Sequence, residues 1–185
     1  MPVVIIPMSG LGQRFVDAGY TDPKPLIHVD GKPIIEHVIN LFDPQNDIFI
    51  FICNDQHLKE TKMRDILSQI CPRGAIFEVP VIGRQGPVHA VSLIFDHIPN
   101  DQEIIVSYCD YGTWWDYPAF LKDNRSRETD GSIACYRGFH PHMLGTDNYA
   151  FLKETSPNSR WMDKIQEKQP FTDNRMNEYA SNGTY

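Results

Sequence analysis

The stretch Val3-Val4-Ile5-Ile6-Pro7-Met8-Ser9-Gly10-Leu11-Gly12-Gln13-Arg14, with Pro23-Lys24-Pro25-Leu26 shortly behind it, decides how the chain is read. Val3 to Ile6 are all β-branched and apolar, which predicts a buried strand of a parallel sheet. Past Pro7 and Met8 the chain turns polar and glycine-rich. Gly10 and Gly12 let the backbone take positive φ and admit a ligand close to the main chain. Consecutive N–H groups in such a loop can hold phosphate oxygens, and Arg14 adds a planar fork of donors. Lys24 stands between two prolines. Pro25 disfavours the α conformation at Lys24 and Pro23 offers no N–H, so an extended, stiff segment that aims the ammonium is expected.

Two familiar phosphate loops are absent. A P-loop ends in Gly-Lys-Ser/Thr, which the opening loop lacks. The dinucleotide fingerprint needs a third glycine three residues after the second, where this chain has Phe15. On the residues of the loop alone, a phosphate cradle and an ordinary α/β turn both stay open.

The rest of the chain builds outward in alternation. Pro33 opens a helical pattern carried by Ile34, Ile35, Val38, Ile39, Leu41 and Phe42. A strand is predicted over 48–53, a helix over 57–70 with Leu58, Met63, Ile66, Leu67 and Ile70 on one face, and a strand over 75–82. Gly83-Arg84-Gln85-Gly86-Pro87 turns into a helix whose core face is Val88, Val91, Ile94 and Phe95. Residues 103–110 read as a buried strand delivering a carboxylate, Asp110, at its end. That aspartate is either a Mg²⁺ ligand or a turn or capping residue. A solvated helix is expected over 120–130 and a strand over 131–136. A hairpin of 149–152 with 161–165 is expected around Ser156-Pro157-Asn158-Ser159. Such alternation predicts an α/β fold with a Rossmann-like, mostly parallel central sheet flanked by helices, and ligands at the carboxyl ends of its strands.

Composition narrows the function classes. The chain has 185 residues, 41% of them hydrophobic, enough for one domain with a real core. A formal net charge of -7 argues against a nucleic-acid surface. No apolar run approaches a membrane span, so no membrane insertion is expected. The chain opens directly on a core strand, which predicts no signal peptide. Cys53, Cys71, Cys109 and Cys135 are scattered, without paired or dense spacing, and point to a reducing, cytoplasmic setting.

Taken together, Gly10-x-Gly12-x-Arg14, Pro23-Lys24-Pro25-Leu26 and Val29-Asp30-Gly31-Lys32-Pro33 resemble the nucleotidyltransferases that activate sugar phosphates and phospho-alcohols. Relatives of this kind occur in the biosynthesis of bacterial capsule and lipopolysaccharide. The resemblance implies a GT-A-like domain with a nucleotide-binding half, 1–112, and an acceptor-binding half, 113–185. It implies that Pro7, Met8, Ser9, Gly10 and Gly12 wrap an NTP, that Arg14 and Lys24 are the catalytic cations on its phosphates, and that Asp110 holds Mg²⁺. Gly86 matches the family's base-contacting glycine, with Arg84 or Gln85 adding side-chain contacts. Far along the chain, Glu167-Lys168 after the hairpin and Gly183 in Asn182-Gly183-Thr184-Tyr185 match residues that face the acceptor.

The chain departs from the family in detail. Ser9-Gly10 stands where two glycines are frequent, and Gln13 where threonine is frequent, which leaves the base open with CTP or UTP favoured. Trp114-Trp115-Asp116-Tyr117 reads mainly as packed aromatics, with walling of the acceptor pocket and plain core both open. Family members usually run on past the equivalent of Tyr185, with a second metal-binding aspartate. A C-terminally truncated domain is therefore expected, with a possible homo-oligomer through an unpaired edge of the last strand. The implied activity is nucleotidyl transfer from an NTP to a sugar 1-phosphate or phospho-alcohol, Mg²⁺-dependent and releasing pyrophosphate. The alternative is a non-catalytic nucleotide sensor or an inactive fragment, and a plain dinucleotide-binding domain is disfavoured by the missing third glycine.

Overall fold

A computed structural model describes residues 1–80, 86–145 and 147–185. The chain forms two compact units, 1–128 and 129–185. In the first, β1 (Val3–Met8) runs into the short helix α1 (Gln13–Asp17). The hairpin strands β2 (His28–Val29) and β3 (Lys32–Pro33) and helix α2 (Ile34–Ile39) follow. Next come β4 (Ile48–Asn54), α3 (Asp55–Glu60), α4 (Met63–Ile70) and β5 (Ala75–Val79). The unit closes with α5 (Gly86–Ser92), β6 (Ile104–Val106) and α6 (Tyr117–Arg127).

Its sheet has the order β5-β4-β1-β6, and every pairing is parallel. The Rossmann-like sheet expected from the alternation is present. Both faces are covered, which is why its central strands carry no polar face. Val4, Ile6, Phe49 and Phe51 pack on one side with Ile35, Val38 and Leu67, while Val3, Ile5, Ile50 and Ile52 pack on the other with Ala90 and Ile94. Side chains alternate across a strand, so one run of β-branched residues feeds two cores.

Several expectations are corrected. The helix predicted over 57–70 is two helices, α3 and α4. Thr61 breaks it: its backbone is extended, its hydroxyl donates to the His57 carbonyl at 2.7 Å, and it accepts the Met63 N–H at 3.2 Å. A threonine hydroxyl that satisfies backbone groups in this way competes with the helix. The strand predicted over 75–82 ends at Val79, because Pro80 cannot donate to a ladder; residues 81–82 lie outside the described residues. The strand predicted over 103–110 is regular only over Ile104–Val106. Lys24–Leu26 is a 3-10 turn rather than an extended segment. Pro23 keeps extended angles, but Leu26 donates to the Pro23 carbonyl at 2.8 Å and buries its side chain in the core. Asp30 and Gly31 both take positive φ, the pattern of a two-residue hairpin turn, and close β2 onto β3.

The second unit is an antiparallel sheet of β7 (Cys135–Tyr136), β8 (Ala150–Glu154), β9 (Met162–Glu167) and β10 (Tyr179–Ser181), in the order β7-β10-β8-β9. The predicted 131–136 strand shortens to β7. The hairpin of β8 with β9 is as expected, and Glu154 secures its turn by accepting the N–H groups of Asn158 and Arg160. The last strand is not an edge: β10 pairs with β7 through Ala180 and Ser181 and with β8 through Tyr179 and Ala180. Its neighbours therefore use both sides of the strand. Among the described residues, no helix is long and apolar enough to cross a membrane.

Candidate active site

The carboxyl ends of β1, β4 and β6 position the site. β1 delivers Pro7 and Met8, both buried, and Ser9, also buried, into a loop that surfaces at Gly10. Gly12 takes φ 64° and forms the left-handed N-cap of α1. A β-carbon at Gly12 would stand 3.4 Å from the Lys24 β-carbon, an ordinary contact, so the Lys24 turn lies against the loop while the positive φ is what favours glycine. Among the described residues, the N–H groups of Gly10, Leu11 and Gly12 donate to no protein acceptor. Arg14 is exposed in the first turn of α1.

Asp110 lies four residues beyond the last residue of β6 rather than at the strand's end. Ser107 prolongs the pairing by donating its N–H to the Ile5 carbonyl at 2.9 Å, which carries the following loop along β1. There Asp110 meets Lys24, whose Nζ stands 2.5 Å from the Asp110 Oδ2. The two side chains are 26% and 32% exposed, so the pair sits at a mouth rather than in the core. Lys24 Nζ also lies 5.8 Å from the centre of the Phe15 ring, an added contact for the cation. Beside the pair, burial pushes the Cys109 thiol up to about 12, which keeps it neutral and unreactive.

A lone, part-exposed carboxylate fits Mg²⁺, which commonly takes one or two protein carboxylates and draws its other ligands from water and substrate phosphates. Among the described residues, no three of His, Cys, Asp and Glu converge as an all-protein cage would need.

Sequence reasoning passed over Asn54. It ends β4 fully buried, its Nδ2 donates to the Ser9 carbonyl at 3.2 Å, and its Oδ1 accepts the His57 N–H at 3.0 Å as the cap of α3. The available signal was a polar residue closing an apolar run just before Asp55 and a helical pattern.

Gly86 opens α5 with φ 79° and is exposed; Arg84 and Gln85 lie outside the described residues. In the second unit, Glu167 ends β9 and Lys168 follows with φ 55°. Their charged groups are 3.5 Å apart and mostly exposed. Gly183 is buried with φ 97°, and its N–H donates to the Ser181 hydroxyl at 3.2 Å.

The stretch read mainly as packed aromatics is packed at Trp115 and Tyr117. Trp115 donates its indole N–H to the Leu41 carbonyl at 2.8 Å, and Tyr117 donates its hydroxyl to buried Asp47 at 2.7 Å. Both partners precede β4, whereas Asn54 and the glycine loop stand at its far end, about 20 Å away for a strand of this length. Trp115 and Tyr117 form core with Phe42.

A MobA-like NTP transferase domain matches residues 4–160. The chain is 33% identical over 67 residues to the 2-C-methyl-D-erythritol 4-phosphate cytidylyltransferase of Rhodopirellula baltica, a match over 36% of this chain and 26% of that protein. It thus spans about a quarter of the curated relative's length. Solved structures share the fold. A nucleoside-diphosphate-sugar pyrophosphorylase from Vibrio cholerae superposes with TM-score 0.70 at 23% identity, over 97% of this chain and 73% of that one. A UTP-bound UGPase from Acinetobacter baumannii gives 0.70 at 20% identity, over 100% and 73%. The inositol-1-phosphate CTP transferase from T. maritima gives 0.64 at 17%, over 100% and 69%. With most of its length, the loop, Lys24 and Asp110 included, inside the matched domain, the chain belongs to the MobA-like NTP transferase family.

Proposed function

We propose that the chain transfers a nucleotidyl group from an NTP, with CTP or UTP favoured, to a phosphorylated acceptor such as a sugar 1-phosphate or phospho-alcohol. The observation that carries this reading is the meeting of Lys24 with Asp110 beside the Gly10–Gly12 loop, in a member of this family. A cation and a carboxylate at one mouth suit a triphosphate and its counter-ion. The pyrimidine preference is supported by similarity to proteins named for CTP, UTP or cytidylyl transfer.

In this reading an oxygen of the acceptor phosphate attacks the α-phosphorus, the bond from that phosphorus to the β-phosphate oxygen breaks, and pyrophosphate leaves. The attacking phosphate is already ionised, so the protein need not supply a general base. Its task is positioning and charge balance. Lys24 turns to the α-phosphate as charge builds there. The N–H groups of Gly10, Leu11 and Gly12 and the Arg14 guanidinium hold the outer phosphates and the departing pyrophosphate. Asp110 would hold Mg²⁺, which would neutralise phosphate charge when bound. Glu167 and Lys168 serve the acceptor, the carboxylate accepting from hydroxyls and the ammonium meeting the phosphate.

A pyrophosphate-release screen tests the reading. It crosses the four NTPs with sugar 1-phosphates and phospho-alcohols, with Mg²⁺ and then with EDTA. A metal-dependent signal from a pyrimidine triphosphate with one acceptor is expected. Silence across the panel, with no thermal stabilisation by any NTP, would overturn it.

A further inference from the structure

Asn54 is the best-buried polar side chain near the glycine loop, and both ends of its amide are in use. The partners fix its orientation. The His57 N–H needs an acceptor and the Ser9 carbonyl needs a donor, so turning the amide over would break both bonds. Among the described residues, this is the hydrogen bond that ties the 9–12 loop to another strand. It grips the last buried residue before the chain surfaces at Gly10.

We propose that Asn54 is a positioning residue for the nucleotide's phosphates: by holding the Ser9 carbonyl, it keeps the N–H groups of Gly10, Leu11 and Gly12 pointed outward as a ready-made anion cradle. The inference rests on the nucleotide reading above and adds the element that organises the loop. A loop ordered in advance gives up less conformational freedom on binding, so its donors contribute more of their attraction to affinity. Because the cradle faces phosphates, Asn54 acts on the triphosphate tail and not on the nucleoside.

Asn54→Asp and Asn54→Ser separate the two ends of the amide. Either replacement still caps α3, since aspartate and serine are favoured N-caps. Neither can donate to the Ser9 carbonyl, aspartate for lack of an N–H and serine for lack of reach. Dissociation constants of CTP, UTP, CMP and UMP are measured on each variant well below its melting temperature. Triphosphate binding is expected to weaken about tenfold, the size of one buried hydrogen bond, with monophosphate binding unchanged. Should Asn54→Asp melt early because its charge is buried, neutral Asn54→Ser carries the test. Equal weakening of tri- and monophosphates, or wild-type affinity in a folded variant, would overturn the inference alone. Absence of triphosphate binding in the wild type would instead overturn the nucleotide reading beneath it.

Discussion

The Lys24 ammonium and the Asp110 carboxylate stand 2.5 Å apart, one from a 3-10 turn after the glycine loop and the other from the loop after β6. Each is part-exposed and paired with the opposite charge of the other. In the proposed reaction a triphosphate would draw Lys24 away and leave Asp110 to a cation. Lys24→Ala is therefore expected to lower pyrophosphate release at least about 100-fold, the scale for losing one positioned charge donor. Stability changes little, because a part-exposed ion pair contributes about 1 kcal/mol or less. A stopped assay beside a thermal melt checks both, and a near-normal rate would remove Lys24 from the chemistry.

At the acceptor side, Lys168→Ala is expected to raise KM for the phosphorylated acceptor about tenfold or more while leaving NTP affinity unchanged. The ammonium is exposed, and in the proposed reaction it would meet the acceptor phosphate. Lys168 holds φ 55°, so Lys168→Gly relaxes the backbone while deleting the same charge. Initial rates over a grid of both substrates separate the two effects. Equal KM changes for NTP and acceptor would contradict the assignment.

Alkali should loosen the first unit. Burial holds the Cys53 and Cys109 thiols up to about 12, with weaker influences from neighbouring charges. Burial first, then the Asp47 hydrogen bond, raises the Tyr117 hydroxyl. All three groups keep their protons more tightly folded than unfolded. Their stabilisation is whole below the unfolded values, about 8.5 for a thiol and about 10 for tyrosine. It is lost as pH rises from there through the folded values. Melting temperature should therefore fall from about pH 9 upward. Tyr117→Phe, which strips a donor from buried Asp47, should cost about 1–3 kcal/mol at neutral pH and flatten the steepest part of that fall. A melt series in pH tests the sign.

Gly74 follows α4 and leads into β5, where a β-carbon would approach the Phe51 ring to 2.5 Å. Phe51 is fully buried and cannot retreat freely. Gly74→Ala should destabilise the protein by about 1–3 kcal/mol, with nucleotide affinity per folded molecule unchanged. Urea unfolding and nucleotide titration of the same preparation check this.

Much of the fold was legible because strand burial on both faces writes itself as unbroken runs such as Val3–Ile6 and Ile48–Cys53. The glycine turn after β1 was legible from its composition, whereas the Lys24 segment, expected extended, is a 3-10 turn because Leu26 folds back onto the Pro23 carbonyl. What escaped depends on partners distant in sequence or on single hydroxyls and amides. Thr61 splits a helix through two local hydrogen bonds that periodicity does not register. Asp110 reaches Lys24 from a loop because Ser107 extends the pairing past the regular strand. Asn54 reads as a helix cap, and only the fold brings the Ser9 carbonyl to its other end. Tyr117 and Trp115 read as packed aromatics and are so, but their hydrogen-bond partners Asp47 and Leu41, distant in sequence, could not be read from the stretch.

The most direct measurement follows the α-phosphate. CTP or UTP labelled at that phosphorus is incubated with the protein, Mg²⁺ and an unlabelled sugar 1-phosphate or phospho-alcohol. The account predicts that label moves into a nucleotidyl-acceptor product while unlabelled pyrophosphate is released one for one, and that Asp110→Asn stops both. Label recovered as nucleoside mono- or diphosphate, or remaining in the triphosphate across the acceptor panel, would contradict nucleotidyl transfer as the activity.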